Sequence, residues 1–216
     1  MYVREIEDQK LTLQVSGKLW MRSLVMRDVE TKTEWSHLLG RGMKGPLEGK
    51  TLRPLVSDMV TWESWLQAHP KTTVLDMPSR AHGYNSAFYD MPDRFVYGFE
   101  SGGDAWAIPF AEIQTKQVIN FTIADESFVA TFEEKGAAPR LFSSNLDGHT
   151  LRFELSESNR MKDDKTGSVW SVASGTALDG PLTGKSLRQH VGIMSFRKAW
   201  QNFHPVSRDI EPESEN

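Results

Sequence analysis

The chain repeats a stretch of twenty residues, and this repeat constrains its fold more than any other feature. TEWSHLLGRGMKGPLEGKTL, residues 33–52, returns as SVWSVASGTALDGPLTGKSL, residues 168–187, with nine identical positions at a constant spacing of 135 residues. The same spacing relates His69-Pro70 to His204-Pro205. The period indicates two domain-sized copies, because the repeats of a solenoid run about 20–50 residues.

Each copy is predicted to be mainly β-structured and to end in a short helix. Residues 4–17 alternate as a hairpin does, and GPLEGK, residues 45–50, has the proline and glycine of a chain-reversing turn. In TWESWLQAHP, residues 61–70, Thr61 can cap a helix with apolar side chains on one face. MSFRKAWQNFHP, residues 194–205, repeats that pattern. The expected fold class is mainly β (α+β), with two duplicated β-rich units, each closed by a short helix.

The second copy contains a segment that the first copy lacks. Residues 94–134 hold FVYGFE and AWAIP around Gly102-Gly103, which is a hairpin pattern, and two further β-rich runs. Their counterpart in the first copy would precede Met1, so the first unit is expected to be incomplete at its N-terminus. The predicted organisation is a first unit at 1–75, an irregular connector at 76–94, a complete second unit at 95–210 and a disordered tail at 211–216.

An incomplete unit is expected to leave one edge of its sheet bare. Exposed edges pair with other chains unless something covers them. Residues 2–15 are therefore expected either to pack against the second unit or to mediate self-association.

The composition restricts the partners and the chemistry. The chain has 25 basic and 29 acidic residues, a net charge of −4, which gives no basic footprint for nucleic acid. No apolar run approaches the roughly 20 residues that span a bilayer, so no transmembrane segment is predicted. The first residues lack the apolar stretch of a signal peptide, and the compartment stays open. The chain has no cysteine, which excludes disulfides, thiolate nucleophiles and cysteine-ligated zinc.

Six residues are candidates for a ligand pocket, and each has a structural interpretation that is favoured over the functional one. They are Trp35, Trp170, His69, His204, Asp28 and Asp164. The tryptophans fit core positions of equivalent units. The histidines fit the last turn of a helix, where they interact with its carbonyl groups. The aspartates, with neighbouring Thr and Ser, fit turns that bond their own backbone. No residue is predicted to be catalytic or to bind metal, and the cofactor is unknown.

Three features occur in both copies: a Trp-Ser pair, the GPLxGK turn and a helix that ends in His-Pro. With them the chain resembles the uncharacterised bacterial family of domain of unknown function 3179, over about residues 3–210, most clearly in 15–55 and 96–110. The family's most suggestive feature is a Cys-Pro-x-Cys type motif, with selenocysteine in some members. The resemblance cannot carry thiol or metal chemistry to this chain, because the corresponding stretch, residues 128–142, has no cysteine. The resemblance also implies that relatives are exported.

Three functional hypotheses stay open. The first is a binding or redox- or metal-associated module that lacks its cysteine motif. The second is an enzyme with a site between the two units that uses His69 or His204. The third, a non-catalytic structural or interaction protein, gains weight from the absence of cysteine, and the sequence therefore leans away from an enzyme.

Overall fold

A computed structural model of the chain describes residues 1–74, 90–157 and 159–210. These residues form short, mostly antiparallel sheets with three α-helices, so the protein is mainly β, as the sequence predicts. The predicted tail, 211–216, and most of the predicted connector, 76–94, lie outside the described residues. The boundaries of the two units stay a prediction.

The first unit contains two sheets and one helix. Its elements are β1 (Glu5–Ile6), β2 (Gln9–Lys10), β3 (Leu13–Trp20), β4 (Ser23–Asp28), β5 (Glu34–Ser36), β6 (Gly42–Lys44) and α1 (Trp62–Ala68). β1 and β2 form a small hairpin, and β3 to β6 form a four-stranded antiparallel sheet in sequential order. The hairpin turns at Glu7 and Asp8, both with positive φ, as a two-residue turn between right-twisted strands requires.

The second unit contains the same two sheets and a larger β segment in front of them. Its elements are β7 (Phe95–Ser101), β8 (Asp104–Pro109), α2 (Phe110–Lys116), β9 (Val118–Ile123), β10 (Glu126–Glu133), β11 (Ala138–Ser143), β12 (Asn145–Leu146), β13 (His149–Thr150), β14 (Phe153–Glu157), β15 (Arg160–Asp163), β16 (Val169–Ser171), β17 (Ala177–Asp179), β18 (Ile193–Phe196), α3 (Arg197–Phe203) and β19 (Arg208–Asp209), with a short 3-10 helix at Pro92–Arg94. β7 and β8 turn at Gly102-Gly103, as predicted. Helix α2, which the sequence analysis missed, buries Phe110 and Ile113 beside the β9–β10–β11 sheet.

The two units share their backbone hydrogen bonds as well as their residues. The Leu52 N–H donates to Gly40 O at 2.8 Å, and the Leu187 N–H donates to Gly175 O at 2.8 Å, 135 residues later. Nearer the start, Leu11 corresponds to Leu151, which is 140 residues later. The spacing changes because the β3–β4 hairpin is longer than the β14–β15 hairpin. That insertion hides the beginning of the repeat from a search at one fixed spacing.

The buried side chains are divided unequally between the units. The core of the first unit has four buried members, Leu11, Trp35, Leu47 and Leu52. The second unit has a corresponding core around Trp170 and an aromatic core between its β7–β8 and β9–β11 sheets. Because apolar burial is the dominant stabilising contribution, the first unit depends more on its polar contacts and on its contacts with the second unit.

A buried ion-pair network joins the units. Arg140 of β11 has a side chain that is 7% exposed; its Nε donates to Asp58 Oδ2 at 2.8 Å and its Nη1 to Glu133 Oε2 at 3.0 Å. The Gln189 side-chain amide donates to Asp58 Oδ1 at 2.8 Å. Because Asp58 lies just before α1, these bonds fix the end of the first unit against the second.

We predict that Arg140→Met strongly destabilises the protein. The substitution removes the cation but leaves two poorly solvated carboxylates close together, a loss of about 3–5 kcal/mol in the free energy of unfolding. Urea unfolding followed by circular dichroism measures it. The matched control is Arg188→Met, which breaks an exposed ion pair with Glu126 and is expected to cost less than about 1 kcal/mol. Equal losses in the two variants would contradict a structural role for the network.

Candidate functional site

A buried aspartate–tryptophan pair lies at the centre of the first unit. Asp28 ends β4 and Trp35 lies in β5, and both side chains are 0% exposed. Trp35 Nε1 donates to Asp28 Oδ2 at 2.9 Å, and the same oxygen accepts from Thr31 Oγ1 at 2.8 Å and from the Thr33 N–H at 3.1 Å. The other oxygen accepts from the Thr31 N–H. The carboxylate is therefore saturated with donors from one turn and one neighbouring strand.

The second unit repeats this pair bond for bond. Trp170 Nε1 donates to Asp163 Oδ2 at 2.9 Å, and that oxygen also accepts from Thr166 Oγ1 at 2.9 Å and from the Ser168 N–H at 3.1 Å. Such agreement in a buried polar cluster supports a common origin of the units more directly than the shared letters do.

The partner of Asp28 in the second unit is Asp163, and the sequence analysis wrongly paired it with Asp164. Asp164 is exposed, and its Oδ1 accepts the Arg152 N–H at 3.0 Å. The spacing of 135 residues leads from Asp28 to Asp163. Two consecutive aspartates made the choice ambiguous in the sequence, and the indole hydrogen bond resolves it.

The glycine-rich turn packs on the same cluster. The Leu47 N–H donates to Thr33 Oγ1 at 3.2 Å, and the Leu182 N–H donates to Ser168 Oγ at 3.1 Å. A Cβ atom on Gly45 would lie 2.8 Å from Thr33 Cα, and Gly45 has a φ of +125°, so the position requires glycine. The GPLxGK motif thus covers the buried carboxylate and offers no phosphate-binding loop.

Both buried aspartates remain ionised at neutral pH. Burial alone would raise the pKa of Asp28, but the hydrogen bonds from Trp35, Thr31 and Thr33 outweigh it and lower this pKa below the usual value. The pKa of Asp163 is lowered for the same reasons. The carboxylate oxygens are used inside the fold.

These shifts predict how stability depends on pH. A carboxyl with a lowered folded-state pKa stabilises the fold above its unfolded pKa, and the contribution is lost as the pH falls through the folded value. We therefore expect the free energy of unfolding to drop below about pH 3.8, and Asp28→Asn or Asp163→Asn to flatten that drop. At neutral pH each variant should lose about 1.5–3 kcal/mol, the range for hydrogen bonds to a charged group.

Urea unfolding between about pH 6 and pH 2 measures this dependence. The exposed Asp179→Asn variant serves as the control and should follow the wild-type curve. An unchanged acid limb in both buried-site variants would contradict the assignment.

His69 and His204 end equivalent helices. Each backbone N–H donates at 2.8 Å to the carbonyl of the tryptophan four residues earlier, Trp65 or Trp200, and each imidazole stacks on that tryptophan with ring centroids 4.1 Å apart. Burial lowers the pKa of His204, although the nearby Glu100 opposes this. Both histidines are thus C-cap residues with an aromatic contact, which is the structural role that the sequence suggested.

The surroundings of the two helices differ. Trp200 is 3% exposed because it lies on β7, where a Cβ atom at Gly98 would come within 2.6 Å of its ring. Trp65, which corresponds to it in α1, is 40% exposed. Residues 1–74 contain no counterpart of the β7–β11 segment. The first helix therefore has the same indole without the strand that covers it in the second unit.

The edge of the first-unit sheet is uncovered in a similar way. In the second unit, Asn120 of β9 accepts the Phe153 N–H at 2.9 Å and donates to Phe153 O at 2.7 Å, which closes the edge of β14. Leu13 occupies the equivalent position in β3, and no side chain among the described residues makes these bonds to it. The outer end of β3 also exposes Leu19 by 73%.

A cleft of about 430 Å³ lies between the two units. Residues from both units line it, including Tyr97 and Trp200 of the second unit. Tyr97 is 4% exposed, and its hydroxyl has no hydrogen-bond partner among the described residues. Volumes of this size are typical of sites for small molecules.

The structure does not bring the six candidate residues together. Trp35 and Asp28 lie in one core, Trp170 lies in another, and Asp164 is on the surface. Only His204 of the six lines the cleft. The sequence analysis missed Tyr97, whose only local signal was its place in a buried strand.

Other kinds of site find no support in the described residues. No group of three or more His, Asp or Glu side chains in the described ranges could hold a metal ion. None of the helices in these ranges is long and apolar enough to cross a membrane.

The fold and its buried pairs define a class of mainly β proteins that are built from two copies of one unit. The chain belongs to the family described as Protein of unknown function (DUF3179), whose model matches residues 1–92 and again residues 89–207. The two matches agree with the duplication seen in the hydrogen bonds. No curated protein and no solved structure matches the chain.

Proposed function

We propose that the protein is a non-catalytic interaction module whose first unit associates with the first unit of a second copy. The observation that carries this proposal is the contrast between Trp200, 3% exposed, and Trp65, 40% exposed, in helices that are otherwise equivalent. An indole that is kept at a covered position in one unit and left open in the other is typical of an interface residue.

Two patches of the first unit face the same space. In the second unit, one segment, β7–β11, covers both the helix through Gly98 and the sheet edge through Asn120. By the symmetry of the units, α1 and β3 of the first unit border one continuous surface. We name this surface, formed by Leu13, Val15, Leu19 and Trp65, the open face.

A second copy fits the open face because β3 is an antiparallel edge strand. Two such strands related by a twofold axis can pair with each other and satisfy the outward backbone groups of both. Val15 and Leu19, 71% and 73% exposed, would be buried by that pairing, and Trp65 would pack beside it. Burial of these side chains provides the driving force.

The proposal predicts a concentration-dependent dimer. We expect Trp65→Lys and Leu19→Lys each to shift the equilibrium to monomer, because either substitution places a charge in the apolar contact. Sedimentation velocity up to about 0.1 mM protein, a range that detects weak dimers, measures the shift.

The control variant is Val206→Lys, which changes an apolar side chain that is 81% exposed outside the open face. It should leave the dimer intact. Leu19→Lys guards against a folding defect, because Leu19 makes no described hydrogen bond through its side chain, whereas Trp65 Nε1 donates to Thr72 Oγ1 at 2.9 Å. A wild-type protein that stays monomeric throughout, or a dimer that survives both open-face variants, would refute the proposal.

A further inference from the structure

The cleft between the units has the walls of a site for an apolar molecule. Leu38, Leu39 and Leu52 of the first unit face Val191, Ile193 and Met194 of the second. At about 430 Å³ it has the volume of a small-molecule pocket, which is typically apolar with a few placed polar groups.

Tyr97 supplies such a polar group. Its ring is fixed in β7, and it is packed so closely by Gly192 that a Cβ atom there would lie 2.2 Å from Tyr97 Cζ. The side chain is 4% exposed, yet its hydroxyl has no partner among the described residues. A buried hydroxyl without a partner is costly, so a ligand atom that bonds it would gain more than at the surface. The other phenol of the cleft is satisfied, since Tyr2 donates to Leu38 O at 2.7 Å.

The hydroxyl of Tyr97 acts as a neutral donor. Burial raises the pKa of Tyr97, Asp58 raises it further, and Arg140 opposes them only in part. The group therefore keeps its proton at any physiological pH and suits a carbonyl or ether oxygen. It is not available as a phenolate base or nucleophile.

The charges around the cleft disfavour an anion. Asp58 and Glu100 contribute carboxylates, and no Lys or Arg side chain lines the cleft. The guanidinium of Arg140 is already engaged by Asp58 and Glu133. The N-terminal ammonium of Met1 lies at the rim, where Met1 is 75% exposed, and donates to Ser57 Oγ at 3.3 Å. An anion in the cleft would find no buried cation to pair with.

From this geometry we infer that the cleft is a binding site for an uncharged, largely apolar small molecule with one oxygen atom that accepts a hydrogen bond from Tyr97. The site is separate from the open face and does not depend on dimer formation. It uses both units, so it exists only when the two are docked.

Two dyes of similar size but different charge test the inference on the full chain. Nile red is uncharged and carries a carbonyl oxygen, whereas 8-anilinonaphthalene-1-sulfonate is an anion. We expect saturable Nile red fluorescence with about one site per chain, and at least tenfold weaker binding of the anion. Tyr97→Phe should weaken Nile red about three- to tenfold, because it removes one hydrogen bond and keeps the ring. Val191→Trp should abolish binding by filling the cleft.

Leu178→Trp is the matched control for the added indole, since Leu178 is 48% exposed and does not line the cleft. It should bind Nile red as the wild type does. Tyr97→Phe decides the case if Val191→Trp fails to fold. The inference is overturned if Nile red does not bind, if it binds Tyr97→Phe as tightly as the wild type, or if the anion binds as tightly as the uncharged dye.

Discussion

The hydrogen bond from a buried indole to a buried carboxylate organises each unit of this protein. A carboxylate in a core is costly unless every lone pair is used, and Asp28 meets this condition by accepting from Trp35, from the Thr31 turn and from the Thr33 backbone. One group thereby connects the end of one strand, the following turn and the next strand. The glycine-rich turn then packs over Thr33. The most recognisable motif of the sequence is therefore a support for this buried charge.

The duplication explains why the same residues differ in exposure. Trp65 and Trp200 are held alike, each by an imidazole stacked on its ring and a hydroxyl that accepts from its Nε1. What differs is the strand above them, since Gly98 of β7 allows the indole of Trp200 to lie directly on the backbone. Exposure is thus a property of the arrangement around the repeat. Comparison within one chain provides a control that a single unit could not give.

The sequence predicted what depends on local pattern and on the repeat. The mainly β class, the β7–β8 hairpin and the cap of α1 by Thr61, which accepts from the Ser64 N–H at 3.3 Å, are confirmed. Helix α2 was missed because seven residues between strands give too little periodicity to distinguish a helix. Asp58, Arg140 and Gln189 meet across the units, and no local signal reports a contact over that distance in sequence.

The inter-unit network and the cleft are parts of one arrangement. Asp58 lines the cleft and is held by Arg140 and Gln189, so the first-unit wall of the cleft is fixed by ion pairs that lie outside its apolar surface. Arg140 is thereby neutralised in place and does not draw anions into the cleft, although it lies near Tyr97 electrically. A guanidinium with free donors would have made the same cleft an anion site. The identity of one paired cation thus decides both how the units dock and which charge the space between them can accept.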